Sequence, residues 1–151
     1  AVASIGDLDN DGITDLAIGD RGYDTPLGDQ GAVYIVRMNA DGTPKTPLLT
    51  ISSGVNGGPT LAGGNLFGQS VTSLGDLDGD GNTDIAVGAS GDASGGAGRG
   101  AAYLLMLNSN GSVKSSVKFF HGLNESLNLV NGDNFGRSIA ALGDLDGDGI
   151  T

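Results

Sequence analysis

The chain has 151 residues, enough for one domain with a core, and carries a net charge of −11 with 29 glycines, 5% aromatic residues, no tryptophan and no cysteine. The acidity argues for cations as ligands and against nucleic acid, the lack of cysteine excludes disulfides and thiolate metal sites, and no apolar run approaches the ~18 residues of a membrane span. Glycine in this proportion favours tight turns and close backbone packing over large side-chain pockets.

Residues 1–5 lead into an acidic loop, Gly6-Asp7-Leu8-Asp9-Asn10-Asp11-Gly12-Ile13-Thr14-Asp15. Two short apolar runs follow, Asp15–Gly19 and Gly31–Val36, each of strand length and too short for an independent helix. Their continuous apolarity predicts strands buried on both faces. The turn residues Asn39-Ala40-Asp41-Gly42 then predict a hairpin into a fourth strand at Pro47–Ser52. A glycine-rich connector, Ser53–Leu66, ends in Phe67-Gly68-Gln69-Ser70, and a strand over Val71–Leu74 enters a second acidic loop, Gly75–Asp84. The same order recurs. Asp84–Gly88 and Gly100–Leu105 read as strands, Asn108-Ser109-Asn110-Gly111 as a turn, and Val113–Phe120 as an edge strand with weak alternation. After the connector His121–Asn134 come Phe135-Gly136-Arg137-Ser138, a predicted strand at Ile139–Leu142, and a third loop, Gly143–Thr151.

The first aspartate of the loop falls at Asp7, Asp76 and Asp144, a period of about 69 residues. Four short strands per period with long glycine-rich connectors predict an all-β chain of β-propeller blades, each of four antiparallel strands. A sandwich would use short strands too, but would not repeat Phe-Gly and the acidic loop in phase. The predicted division is a first blade at 1–66, a second at 67–134, and a partial third repeat at 135–151 that supplies a spare first strand and a truncated loop.

Eleven of the 18 acidic residues lie in the three loops. In the second, Asp76, Asp78, Asp80 and Asp84 hold positions 1, 3, 5 and 9, with Gly81 at position 6. Carboxylates this close repel, and a hard divalent cation relieves the repulsion. Calcium takes oxygen ligands in irregular geometry and accepts a backbone carbonyl at position 7, here Asn82 and in the first loop Ile13. Magnesium, which demands a tight octahedron, fits less well. The loop is not an EF-hand: position 12 is Ile18 or Val87, inside a strand, where that motif needs a glutamate.

Phe-Gly-x-Ser, then Asp-x-Asp-x-Asp-Gly-x-x-Asp, then Ile-Ala-Val-Gly-Ala, then Gly-Ala-Ala-Tyr together resemble the FG-GAP repeat, the blade of integrin α-subunit propellers and related bacterial proteins. The resemblance spans essentially the whole chain. It implies calcium held in the loop between a blade's first two strands. The implied ligands are Asp7, Asp9, Asp11, Ile13 and Asp15 in the first loop, and Asp76, Asp78, Asp80, Asn82 and Asp84 in the second. In the third they are Asp144, Asp146, Asp148 and Ile150. The family's closing Gly-Ala-Pro appears here as Gly88-Ala89-Ser90 and Gly19-Asp20-Arg21.

The family's rings hold several blades and this chain has two. A blade cannot cover its own faces. Two-blade chains could close as a trimer of six or a tetramer of eight, so a homo-oligomeric ring is expected, with a fragment of a longer protein as the alternative. The chain starts at Ala1 without a signal peptide, which reads as a mature or excised piece. Residues 138–151 repeat residues 1–14, and the spare strand is expected to dock on a neighbouring chain, whose Asp15 would finish the third site. Calcium binding as weak as extracellular modules show would place the protein outside the cytoplasm or at the cell surface.

Other features read as structure. His121 has no nucleophile at useful spacing; Arg21-Gly22-Tyr23-Asp24 is a loop; Phe67 and Phe135 read as blade-to-blade core, and Tyr34 and Tyr103 as mid-strand core. Gly95–Gly100 is no phosphate loop, since no helix N-terminus or lysine follows. No nucleophile, base and oxyanion donor assemble, so no enzyme is expected. The expected function is a calcium-stabilised, non-enzymatic module for protein recognition, adhesion or assembly, working through the loops Asp20–Gln30 and Gly91–Arg99. A carbohydrate-binding lectin, an accessory domain of a larger extracellular protein or hydrolase, and a recently amplified or engineered repeat without a partner stand as alternatives.

Overall fold

The computed structural model describes residues 1–123 and 127–145. Among these residues, eight strands form two four-stranded antiparallel sheets, each a meander in sequence order. The first holds β1 (Val2–Ser4), β2 (Leu16–Asp20), β3 (Ala32–Val36) and β4 (Leu49–Ile51); the second holds β5 (Phe67–Gly75), β6 (Asp84–Ala89), β7 (Ala101–Leu107) and β8 (Val113–Phe120). No α-helix occurs among the described residues. Meander blades of this kind are the units of a propeller. In a meander successive loops alternate ends. Both acidic loops and both hairpin turns therefore sit at one end of the sheets, and the loops after β2 and β6, with the connectors, at the other.

Register follows the repeat. Ile18 pairs with Tyr34 in the first sheet, and Val87 with Tyr103 in the second. The strands themselves differ from expectation at three places. Pro47 has no N–H for a ladder, so β4 begins after it, at Leu49. The Phe-Gly signature is part of β5, which starts at Phe67 and carries a bulge between Phe67 and Ser70. Ile139–Leu142, expected as a first strand, lies in neither sheet. A strand needs a neighbour to satisfy its backbone groups, and no strand runs beside this one among the described residues.

The core lies between the sheets and includes Ile5, Val33, Ile35, Phe67, Val71, Ile85, Val87, Tyr103 and Leu105. All six residues of β6 are buried, whereas β2, with a similar sequence, buries only Ala17 fully. The difference is coverage. Among the described residues the second sheet has the first sheet packed on it through β5 and also the Phe135-Gly136 segment, where Ser70 Oγ donates to the Gly136 carbonyl at 2.8 Å, whereas the first sheet has only the second as a neighbour. Phe67 is fully buried and meets Tyr103 edge to face, with ring centroids 5.5 Å apart. Tyr34 is only half-buried and leans on Tyr23 instead, at 6.3 Å.

The Phe-Gly pair joins successive repeats by backbone contact. Gly31 bridges Phe67 in parallel and Gly100 bridges Phe135 in the same way. A Cβ on Gly19 would come within 2.2 Å of the Gly68 carbonyl oxygen, and one on Gly88 within 1.8 Å of that of Gly136. Each sheet thus needs a glycine in its second strand so that the next Phe-Gly can lie flat on it.

Candidate metal loops and their lysines

Both described loops fold alike because their glycines and aspartates recur at the same positions. Gly12 and Gly81, at position 6, have φ of +88°, and no atom lies within 4 Å of a Cβ placed on either. Backbone conformation alone demands glycine there. Position 1 ties the loop into a ring. Asp7 accepts from the N–H of Asp11 at 3.0 Å and of Gly12 at 2.7 Å, and Asp76 accepts from Asp80 at 3.0 Å and Gly81 at 2.8 Å.

Position 9 anchors the loop to the sheet. Asp15 and Asp84 are fully buried. Asp15 accepts from the N–H of Leu8 at 3.0 Å and, across the sheet, from that of Met38 at 2.9 Å. Asp84 accepts from Leu77 and from Leu107, both at 2.9 Å. Burial pushes the Asp84 carboxyl above its ordinary pKa, and the charges of Asp78 and Asp80 push the same way against those two N–H bonds. A cation beside it would relieve both effects.

Carboxylate oxygens of Asp7, Asp9 and Asp15 lie within 4.8 Å of one another, as do those of Asp76, Asp78 and Asp84. Asp9 Oδ1 is buried without a hydrogen-bond partner, which leaves an acceptor aimed at nothing the protein supplies. Three oxygens converging with an unsatisfied one fit a hard cation such as calcium. Asp11 and Asp80, at position 5, stand apart from these triads. One oxygen of each accepts from the N–H two residues on, Ile13 at 2.8 Å and Asn82 at 2.9 Å. The other accepts from a lysine.

Those lysines were not legible as site residues from the acidic motif alone. Lys45 Nζ donates to Asp9 at 2.7 Å and to Asp11; Lys114 Nζ donates to Asp78 at 2.8 Å and Asp80 at 2.7 Å. Each lysine lies 36 residues after position 3 and 34 after position 5 of its loop. That common offset, just past the turns at Asn39 and Asn108, was the available signal. Lys45 is held above its ordinary pKa by Asp11 and Asp9, and Lys114 by Asp78 and Asp80. In turn Lys45, with the Ile13 N–H, lowers Asp11, and Lys114, with Asn82, lowers Asp80. In the third loop Asp144 is described, while Asp146, Asp148 and Ile150 lie outside the described residues.

A second polar cluster sits at the opposite end of the second sheet. Asp92, 2% exposed, accepts from Lys118 Nζ at 2.8 Å, from the Tyr103 hydroxyl at 3.2 Å and from the Ser94 N–H at 2.9 Å. Burial alone would raise Asp92, but Lys118 and Ser94 outweigh it and hold the carboxyl below its ordinary value. Burial and the Asp92 charge push Tyr103 up. The cluster borders a cleft of about 400 Å³ lined also by Leu61 and Asn65. His121 is a strut, its Nδ1 accepting from the Leu129 N–H at 3.0 Å.

Residues 1–36 and 67–105 match the FG-GAP repeat. The chain is 33% identical over 145 residues to integrin alpha-3 of Cricetulus griseus and to that of Mus musculus, which covers 95% of this chain and 12% of each relative. It is 41% identical over 91 residues to integrin alpha pat-2 of Caenorhabditis elegans, covering 59% of this chain and 7% of that protein. Each match takes in at least one acidic loop within a blade, and the chain spans only a small part of the relatives' length. With two four-stranded meander blades joined by Phe-Gly and two acidic loops that share the same hydrogen bonds, this chain is an FG-GAP repeat module similar to those of integrin α-subunits.

Proposed function

We propose that the chain is a calcium-stabilised, non-enzymatic propeller module for protein recognition or adhesion. The observation that carries this reading is the pair of in-phase triads, Asp7/Asp9/Asp15 and Asp76/Asp78/Asp84, with the orphaned Asp9 oxygen. Asp11, Asp80 and the carbonyls of Ile13 and Asn82 complete the two ligand sets, and Asp144, Asp146, Asp148 and Ile150 belong to a third. Calcium supplies positive charge that relieves carboxylate repulsion and fixes the loop against the sheet. The chain's own residues do the rest: Asp15 and Asp84 tie the loop to the ends of β3 and β7, and the position-6 glycines turn it.

Metal loops at one end leave the other end for partners. That end carries the loops Asp20–Gln30 and Gly91–Arg99 and the cleft beside Asp92 and Lys118. The polar groups there are committed to one another, which suits a rigid recognition surface rather than acid–base chemistry. The blade division at 1–66, 67–134 and 135–151 follows from the same reading. Further blades complete the ring; the length of the integrin relatives favours blades of the same polypeptide, with a self-associated ring as the other route. A cell-surface or extracellular setting, rich in calcium, suits such loops. Native mass spectrometry with and without calcium tests the reading: two or more calcium ions per chain are expected, and the mass separates a single chain from a ring. A spectrum without specific calcium adducts would overturn it.

A further inference from the structure

The lysines that reach the acidic loops have a consequence for how the loops fill. Lys45 and Lys114 each come from the segment after a hairpin turn, at the same distance along the chain from their loop. Each bridges the carboxylates of positions 3 and 5. An isolated surface ion pair contributes little. Here both repeats hold the same pair of contacts, and the lysine side chains are 27% and 42% exposed. Asp9, Asp11, Asp78 and Asp80 are also carboxylates that a calcium ion would need. Asp11 and Asp80, at position 5, each give an oxygen to the lysine and are not among the converging carboxylates of positions 1, 3 and 9.

We propose that Lys45 and Lys114 are tethered cations that exchange with calcium for the carboxylates of positions 3 and 5, holding each loop at low calcium and weakening its calcium affinity. This rests on the calcium reading above. The lysine neutralises one of four loop carboxylates and is held by its own chain; calcium brings two charges and must displace or repel the ammonium. Removing the ammonium therefore leaves the loop more acidic, more strained when empty, and more receptive to a dication.

The test is calcium titration by calorimetry, with melting curves in EDTA and in saturating calcium, on the wild-type chain, Lys45→Met, Lys114→Met and the double variant. Each single variant is expected to bind calcium about tenfold more tightly at one of its sites, and to melt lower than wild type in EDTA but not in saturating calcium. Lys45→Arg, which keeps the charge, is expected to stay within about threefold of wild type. If the double variant is unfolded in EDTA, the single variants decide, since each retains one native loop as reference. Equal calcium affinity in wild type and both Lys→Met variants overturns the exchange while leaving calcium binding intact. Weaker binding in the variants overturns it too, by making the lysines supports. No calcium uptake by any form overturns the calcium reading itself.

Discussion

Phe67 is where one repeat clamps the next, and replacing it by alanine tests that clamp. Its ring is fully buried, lies 5.5 Å from that of Tyr103 at 81°, and its backbone bridges Gly31. Phe→Ala in a core costs about 3–5 kcal/mol, and loss of an edge-to-face pair takes the cost toward the upper end. At roughly 2–4 °C per kcal/mol for a chain of this size, the melting temperature should fall by about 10–15 °C. Phe135 offers an internal control. It holds the same motif position against Gly100 but is only half-buried. Phe135→Ala should cost about 1–2 kcal/mol. The assay is calorimetric melting of both variants in saturating calcium, so that metal binding contributes equally. Equal costs for the two, or a Phe67→Ala cost under about 1 kcal/mol, would refute the clamp.

Gly88→Ala should be more damaging than Gly12→Ala at fixed calcium, because its Cβ would sit 1.8 Å from the Gly136 carbonyl oxygen while that on Gly12 meets nothing within 4 Å; overpacking of this kind costs about 1–3 kcal/mol, measurable by urea denaturation. Gly12→Ala carries the strain of a positive φ that Gly88 lacks, so equal damage would show that the contact with Gly136 costs no more than that strain and would refute the ranking. Asp84→Ala should destabilise the chain by about 2–4 kcal/mol even in EDTA, since the N–H groups of Leu77 and Leu107 lose their acceptor; a loss confined to calcium-loaded protein would contradict its role as an anchor. Asp92 has a lowered folded pKa, so its contribution is present above the unfolded carboxylate value near ~3.9 and is lost as pH falls through the folded one. The stability gap between wild type and Asp92→Asn should therefore narrow below about pH 4, and a gap constant from pH 7 to pH 2 would count against the Asp92–Lys118 pair.

Much of this fold was readable because its signals are local. Val113–Phe120 is bounded as the turn at Asn108–Gly111 and the alternation suggest. The in-phase acidic loops reveal the repeat, and their glycines at position 6 take the positive φ that the turn requires. What was not readable depends on neighbours. Near-identical runs give a fully buried β6 and a partly exposed β2, because coverage comes from another part of the chain. Tyr34 and Tyr103 hold equivalent positions, yet only Tyr103 has Phe67 beside it. Ile139–Leu142 has strand chemistry without a strand to pair with. The lysines are hidden in the sequence for a similar reason: the acidic motif is continuous, while Lys45 and Lys114 come from beyond the next hairpin turn, and only their matched offset marks them.

Calcium is proposed to hold the loops at Asp7–Asp15 and Asp76–Asp84. At Kd near ~10⁻⁴ M, about 10 mM calcium stabilises by roughly 2.7 kcal/mol per site, or about 5 kcal/mol for two independent sites. That corresponds to a rise in melting temperature of about 10–20 °C over the same chain in EDTA. Scanning calorimetry of the wild-type chain in calcium and in EDTA measures it. A rise of that size, abolished when Asp76 and Asp78 are replaced together with Asp7 and Asp9 by asparagine, is the predicted result. Identical melting in calcium and chelator would contradict the account.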